Sequence, residues 1–330
     1  MFGFHQLLAG FVAGAAVAAT MSAAPALAQD KTGWPTNFTI GTASQGGTYF
    51  VYGAGWANLI TEALGVPNSA EATDGPIQNA AGIQLGDYDF GMVTMGPARD
   101  AWTGNSPLAP GVKHDKLRAL FPMYQTGFHF IALKSSGITT LSDVPDGARV
   151  GVGPQGGTPG TYIPQIFEAL GKTITVQYGG AADLAGQLQD GQIDVFGFAA
   201  GVPFPAFAQV EAQVAVNFIG FTDEEMAKVV EALPVSPFKI PSTAYSSLEE
   251  DQNSVAMWNF AVASADLPES FVYEVTKAIM TNHDKMMSIH KSSSETLPEN
   301  FDKNTFLPWH PGAARWFEEN GFAIPADLKG

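Results

Sequence analysis

The amino-acid sequence predicts an α/β fold of two similar lobes, each built on a mixed, mostly parallel sheet. The chain has 330 residues, of which 45% are hydrophobic, and this is more than the core of one small domain requires. Segments with strand patterns alternate with helical segments, which is typical of parallel sheets. In addition, one motif occurs in both halves of the chain in the same order.

The repeated motif is a strand, a Gln-Gly-Gly-Thr loop and a helix, and further along each half come a helix end, a Gly turn, an Asp and a buried strand. Gly-Gly-Thr is short enough to recur by chance, but the shared order of elements favours two related lobes. The first copy has its strand at 38–43, its loop at 45–48, its helix at 49–64 and its later unit at 84–92. The second copy has them at 148–153, 155–158, 161–170 and 187–197.

The remaining elements continue the α/β alternation. Thr222 and Glu225 have capping-box spacing and predict a helix start at that point. One long helix is expected from Leu267 to about His290, and a polar loop is expected after it. The other predicted segments are a strand at 214–219, a Pro-rich irregular stretch at 234–241, an apolar strand at 255–263, the polar loop at 291–304 and a short helix at 309–321.

The first 28 residues have the pattern of a secretory signal peptide. Residues 7–19 are apolar and uncharged, and the small-x-small sequence at 26–28 predicts cleavage after Ala28. A membrane anchor is the alternative, but the apolar run is shorter than the roughly 20 residues that a span needs. The pattern therefore predicts export to the periplasm.

Charge and cysteine content exclude several classes of function. The net charge is −16, so the surface repels nucleic acid and anionic lipid. The chain contains no cysteine, which excludes disulfides, thiolate metal sites and a cysteine nucleophile. An anionic ligand would need local features that overcome the repulsion from the whole molecule.

Patterns typical of enzymes are absent or incomplete. The G-x-G-x-x-G sequence at 151–156 follows a strand, but the next strand, 173–177, ends without the acid that would hold a ribose. Ser44 lacks the first glycine of a nucleophile elbow, and the six histidines show no H-x-x-x-H spacing. We therefore expect no catalytic residue, no metal and no cofactor.

The two Gly-rich loops are the candidate binding site. Such a loop leaves backbone N–H groups unpaired at the positive end of a helix, which suits an anion or carboxylate. Each loop alone could be a packing turn, but two matching loops favour a shared cleft. The candidate ligand-binding residues in these loops are Ser44, Gln45, Gly46, Gly47, Thr48, Tyr49, Gln155, Gly157, Thr158 and Thr161.

Three other segments contribute candidates. Gln78 and Asn79 are expected in the first turn of a helix that opens with a Gly-Pro turn at 75–76. Arg99 follows a strand end, where it could clamp a carboxylate or pair on the surface with Asp100. Pro203 and Phe204 follow another strand, and Phe204 could contact a ligand or belong to the core.

Four blocks of the sequence resemble the TAXI family, the solute receptors of TRAP transporters. These blocks are FTIGTASQGGTYFVYG, DGPIQNAAGIQLGDYDFGMV, ITTLSDVPDGARVGVGPQGGTPGT, and the tail ADLPESFVYEVTKAI with WHPGAARWFEENG. In this likeness Tyr49 matches the first-loop Tyr of the family. Gly157 stands where many members have Ser, so Thr158 or Thr161 would have to replace that hydroxyl.

The resemblance implies the periplasmic-binding-protein type II fold, with a hinge and a central cleft. After the signal peptide predicted at 1–28, it places lobe I at 29–128 and 263–330 and lobe II at 129–262, with crossings near 128–133 and 258–263. It also implies a monomer that binds a small anionic or zwitterionic carboxylate, such as glutamate or a 2-oxo acid. The receptor would deliver this ligand to integral membrane permease subunits.

Three alternatives share parts of these features. A receptor for an ABC importer has the same fold and differs in its permease. An exported hydrolase or transferase would need a convergent catalytic set, which the sequence does not show. A sensor module that presents its ligand to a histidine kinase is compatible with the same binding site.

Overall fold

Two long strands that pair antiparallel with each other lie in the middle of the sheet, between two groups of parallel strands. The structure is a computed structural model that describes residues 1–3 and 31–330. The predicted signal peptide and its cleavage after Ala28 therefore lie outside the described residues, apart from the first three. All the regular elements of the described residues lie in the unit formed by residues 33–330.

The described chain contains ten strands and ten α-helices. The strands are β1 (Phe38–Gly41), β2 (Asn68–Glu71), β3 (Phe90–Thr94), β4 (Leu117–Leu133), β5 (Ala148–Gly151), β6 (Ile174–Gln177), β7 (Val195–Ala200), β8 (Val216–Phe218), β9 (Ser236–Ile240) and β10 (Gln252–Ser264). The helices are α1 (Thr48–Leu64), α2 (Pro76–Leu85), α3 (Met95–Thr103), α4 (Thr158–Ala169), α5 (Ala181–Gln189), α6 (Pro205–Glu211), α7 (Asp223–Ala232), α8 (Glu269–Met280), α9 (His283–Ile289) and α10 (Pro311–Glu319).

The sheet is mixed, in agreement with the predicted fold class. The strands follow the order β2-β1-β3-β10-β4-β7-β5-β6, with β8 paired to β4 and β9 paired to β10. Strand β1 pairs in parallel with β2 and β3, and β5 pairs in parallel with β6 and β7. Strands β4 and β10 pair antiparallel with each other and join these two parallel groups. We call the region around β1–β3 the first lobe and the region around β5–β7 the second lobe.

The apolar core is divided in the same way. One cluster of buried side chains comes from residues between 38 and 124 and between 260 and 328. Two other clusters come from residues between 128 and 257. In α1, Tyr52, Trp56 and Ile60 recur at four-residue spacing and are fully buried, as expected for the core-facing stripe of a helix.

Three expectations about elements need correction. The helix expected from Leu267 to His290 is broken, because the side chains of Thr281 and Asn282 bond carbonyls of the preceding turn and end α8. The expected loop at 291–304 contains the 3-10 turns Lys291–Glu295 and Pro298–Lys303. The Pro-rich stretch includes β9, which pairs with β10 and tolerates Pro237 because it lies on an edge.

The predicted capping box at the start of α7 is confirmed, since Thr222 and Glu225 each accept a bond from the backbone of the other. Within the described part of the chain, we find no helix whose length and apolar character would allow it to cross a bilayer.

Candidate functional site

A cavity of about 40 Å³ lies where helices of both lobes begin. Six of the predicted residues line it: Ser44, Gly47, Thr48, Tyr49, Gly157 and Thr158. The two Gly-rich loops therefore share one cavity. The other lining residues are Ala43, Asp74, Gly75, Pro76, Thr94, Thr126, Pro154, Pro159, Phe198, Ala199 and Ala200.

Three helices start at the cavity without a side-chain cap. The N-cap residues of α1, α2 and α4 are Gly47, Gly75 and Gly157, and none of the three first turns contains an acidic residue. First-turn N–H groups have no partner inside their own helix, and the end of the helix carries partial positive charge. The cavity is thus bordered by donors and positive potential from both lobes.

A buried set of polar side chains connects the cavity to the crossing strands. The hydroxyl of Tyr49 donates to Asn259 Oδ1 at 2.6 Å, and the Thr94 hydroxyl donates to the same oxygen at 2.9 Å. From the second lobe, Thr158 donates to Thr94 at 2.8 Å. Burial raises the pKa of Tyr49, so its phenol stays protonated and remains a donor.

The two lobes also contact each other on both sides of the cavity. On one side, the N–H groups of Ala181 and Ala182 donate to Ser44 Oγ and to the carbonyl of Gln45, each at 3.3 Å. On the other side, the N–H of Ile77 donates to the carbonyl of Gly156 at 3.3 Å. The cleft is therefore closed over the cavity.

Four predicted residues of the first-lobe loops and helices lie outside the cavity. Gln45 is exposed, and Gly46 has a φ of 83° and packs against α5. Gln78 accepts a bond from the N–H of its neighbour Asp74. Arg99 is exposed, with its guanidinium 5.9 Å from the ring centre of Phe306.

Asn79 is also outside the cavity, although it is fully buried. Its amide nitrogen donates to the carbonyls of Thr42 and Met92, and its oxygen accepts from Thr73. All three bonds tie the end of β1 to β3 and the start of α2. Asn79 thus supports the loop at 73–76 that forms one wall of the cavity.

In the second lobe the structure likewise places four predicted residues elsewhere. Gln155 is exposed, and the Thr161 hydroxyl donates to the carbonyl of Gly157 within its own helix. The carbonyl of Pro203 accepts from His290. Phe204 is fully buried and stacks on Phe198 at 4.6 Å, so its role is in the core.

Sequence reasoning missed the polar residues that the strands contribute. Thr94 ends β3, where loops at the carboxyl ends of parallel strands face a crevice. Thr126 and Asn259 stand inside apolar runs of the two crossing strands and are buried. A polar residue in an otherwise apolar strand is a usable signal, because burying it costs free energy unless it has partners.

A sequence model of the NMT1-like family matches residues 40–321. The chain belongs to the NMT1-like family. The match covers the β1–α1 loop, both lobes and α10, and so includes every residue that lines the cavity.

Solved structures with the same fold share little sequence with this NMT1-like protein. MatC from Rhodopseudomonas palustris with bound malate is 14% identical, with a TM-score of 0.57 over 86% of this chain and 95% of MatC. The periplasmic binding protein BugD is 14% identical, with a TM-score of 0.56 over 86% of this chain and 97% of BugD. An ancestral arginine-binding protein bound to arginine is 14% identical, with a TM-score of 0.51 over 78% of this chain and 97% of that protein.

At 14% identity, these structures show the fold that the chain shares with periplasmic binding proteins. Among residues 1–3 and 31–330, no group of three or more His, Asp or Glu side chains is placed to hold a metal ion. The chemistry available at the cavity is hydrogen bonding by backbone N–H groups and hydroxyls.

Proposed function

We propose that this protein is an extracytoplasmic receptor that captures a small carboxylate or amino acid in the cavity between its lobes. The observation that carries the proposal is the convergence of the uncapped starts of α1 and α4, one from each lobe, on one cavity. A carboxylate would accept bonds from these N–H groups and act as the missing cap. Each helix end favours an anion by about 0.3–1 kcal/mol, and by up to about 2 kcal/mol when partly buried.

The charged groups that line the cavity restrict the class of ligand further. No Lys or Arg lines it, and its one acidic side chain is Asp74. The attraction for an anion must therefore come from backbone dipoles and hydroxyl groups. Asp74 is exposed at the edge and would suit the ammonium group of a zwitterion, so an amino acid such as glutamate fits as well as a simple carboxylate.

We propose that lobe I comprises 29–128 and 263–330, that lobe II comprises 129–262, and that β4 and β10 form the hinge. A ligand stabilises the closed form only by the amount that it binds this form better than the open one. In the structure each lobe donates bonds to the other around the cavity. These bonds would hold the closed shape that a permease recognises.

We further propose that the protein is a TAXI-type receptor, exported by cleavage after Ala28 and monomeric, which delivers its ligand to a TRAP permease in the membrane. The four sequence blocks that resemble this family support the proposal. The neighbouring genes test it, because a TRAP system would place genes for integral permease subunits beside this one. An adjacent ATPase gene would instead indicate an ABC importer.

A thermal-shift screen of carboxylates and amino acids on residues 29–330 tests the ligand class. A ligand that binds only the folded state adds about 2.7 kcal/mol of stability at a concentration of 100 Kd, which raises Tm by several degrees. We expect at least one small carboxylate or amino acid to do so. Stabilisation by neutral sugars or cations alone would contradict the proposal.

A further inference from the structure

Asn259 lies beside the cavity on β10 and is fully buried, at the point where the pairing of β10 with β4 shifts register. It does not line the cavity itself. Its carboxamide contacts four polar groups: the Tyr49, Thr94 and Thr126 hydroxyls and the carbonyl of Tyr124. Three of these four residues line the cavity, so the orientation of this amide affects the binding site.

The carbonyl of Tyr124 fixes that orientation. It lies 2.8 Å from Asn259 Nδ2, and a carbonyl oxygen can only accept a hydrogen bond. The atom facing it must therefore be the NH₂ group. The oxygen of the amide then faces Tyr49 and Thr94, and it can only accept.

This orientation determines where the hydroxyl protons point. Tyr49 and Thr94 each have one proton, and both are donated to Asn259 Oδ1. Thr94 can then only accept from Thr158, which commits the proton of Thr158 as well. The oxygens of Tyr49 and Thr158 keep lone pairs but have no proton left for a ligand.

Thr126 is in the opposite situation. Its oxygen accepts from Asn259 Nδ2, and no acceptor for its own proton is found among residues 31–330. Its hydroxyl proton is free to be donated to a ligand. The cavity therefore offers donors from Thr126 and the helix starts, and acceptors from Tyr49 and Thr158.

We propose that Asn259 is a positioning residue that sets the direction of hydrogen bonding in the cavity and selects ligands carrying a donor beside their carboxylate. This inference rests on the proposed function, a receptor for small carboxylates. The ligand class it specifies is 2-amino or 2-hydroxy acids, whose ammonium or hydroxyl group can donate to Tyr49 or Thr158. A 2-oxo acid of the same skeleton offers only acceptors there and leaves these oxygens unpaired.

Calorimetric titration of matched acids tests the proposal. The probes are L-glutamate, L-2-hydroxyglutarate and 2-oxoglutarate, and the three-carbon set L-alanine, L-lactate and pyruvate. In the wild-type protein we expect the amino or hydroxy acid of a set to bind about tenfold more tightly than the oxo acid, the value of one hydrogen bond. In Asn259→Leu, Tyr49 and Thr94 regain free protons, and this preference should fall below about threefold.

Two further variants separate this role from a structural one. Tyr49→Phe removes an acceptor but leaves Asn259 in place, and it should also reduce the preference. Asn217→Leu is the matched control, because Asn217 is a partly buried asparagine on β8 that donates to the carbonyl of Ile138 and is absent from the cavity. It should leave the preference unchanged.

Each outcome is decisive. A wild-type preference for the oxo acid, or equal weakening of all acids in both Asn259→Leu and Tyr49→Phe, would overturn the inference and leave the receptor function standing. Should Asn259→Leu not fold, Tyr49→Phe alone decides. Failure of every acid in both sets to bind the wild-type protein would overturn the inference together with the proposed ligand class.

Discussion

Thr48 and Thr158 are the matching threonines of the two repeated loops, and each reaches the opposite lobe. The Thr48 hydroxyl donates to the carbonyl of Gly201 in the second lobe, at 3.3 Å. The Thr158 hydroxyl donates to Thr94 in the first lobe. The repeat detected in the sequence thus places one hydroxyl of each lobe at the contact between them, beside the cavity.

Thr158→Val is expected to weaken ligand binding about tenfold while leaving the fold intact, because it removes one hydroxyl and keeps the shape of the side chain. Titration calorimetry and thermal unfolding measure the two effects. Thr161→Val is the control, because that hydroxyl bonds within α4 and lies outside the cavity. Unchanged affinity in both Thr158→Val and Tyr49→Phe would reject this site.

His129 makes the stability of the protein sensitive to acid. It is fully buried beside the Tyr245 hydroxyl, and burial lowers its pKa from 6.5 to about 3. Below pH 6.5 the unfolded chain binds a proton that the folded chain does not, so stability falls as the pH decreases toward 3.

Denaturant unfolding at several pH values checks this prediction. In His129→Gln, the slope of unfolding free energy between pH 6 and pH 4 should decrease by up to about 1.4 kcal/mol per pH unit. Burial also lowers the pKa of His310, to about 4, so part of the slope should persist. An unaltered slope in His129→Gln would show that this imidazole titrates normally.

The loop residues that line the cavity were predictable from the sequence, whereas the polar strand residues at or beside it were not. Glycine and threonine between a strand and a helix carry a local signal, since they form a helix start. Thr126 and Asn259 are 133 positions apart in the sequence and meet only when β4 and β10 pair. Arg99 illustrates the converse, because its chemistry suits a carboxylate but its position on α3 directs it to Phe306.

At the scale of elements, the helices divide into capped and uncapped starts. Helix α7 has a capping box and three acidic residues in its first turn. Helices α1, α2 and α4, which start at the cavity, have neither. Helix α6 also lacks both features but starts away from the cavity. The position of the α1 and α4 starts at the cavity, together with the missing caps, therefore distinguishes them, whereas α7 satisfies its own donors.

Removing the α7 cap is expected to affect stability alone. Thr222→Ala should lower the free energy of unfolding by about 1 kcal/mol, because it leaves an N–H group of the first turn unbonded. Ligand affinity should not change, since α7 does not reach the cavity. A loss of affinity equal to that of Thr158→Val would contradict the distinction between the two groups of helices.

Gly75→Ala is expected to lower both the stability of the protein and its affinity for the ligand. Gly75 has a φ of 110°, which side chains other than glycine rarely adopt, and an added Cβ would lie 3.5 Å from the Cα of Gly157. The contact at 3.5 Å is of ordinary van der Waals length, so the strain comes from φ. We expect a loss of about 1–3 kcal/mol of stability and weaker binding, because relief of this strain would shift the helix start. Full retention of affinity would show that the start of α2 takes no part in binding.

The order of elements was largely predictable from the sequence, but the break between α8 and α9 and the pairing of β9 were not. The alternation of strand and helix patterns predicted two α/β lobes, and the capping-box spacing predicted the start of α7. The break between α8 and α9 depends on Thr281 and Asn282, whose side chains compete for helix carbonyls in a way that apolar periodicity does not show. Strand β9 forms by pairing with β10, which is a tertiary contact. The prolines at 234–241 instead predicted an irregular stretch.

For the whole molecule, the net charge of −16 opposes the approach of an anion, and attraction is confined to the cavity. The association rate of a net-anionic ligand should therefore rise when salt is increased from about 10 mM to about 150 mM, because salt screens the repulsion. Stopped-flow fluorescence measures this rate. A zwitterionic ligand without net charge is the control and should show little dependence. A rate that falls with salt for the anion would indicate a positive path to the cavity.

The division of the core along β4 and β10 is the basis for the proposed hinge. Because those two strands carry the chain between the lobes, bending them would separate the lobes without unpairing either parallel sheet group. In solution scattering, a ligand should therefore reduce the radius of gyration toward the value of the closed structure.

A crystal structure with the best ligand of the thermal-shift screen tests the central claim most directly. We predict that its carboxylate lies between the starts of α1 and α4, within hydrogen-bonding distance of backbone N–H groups of residues 48–49 and 158. A ligand bound elsewhere on the protein, or held by one lobe alone with the cavity unchanged, would contradict it.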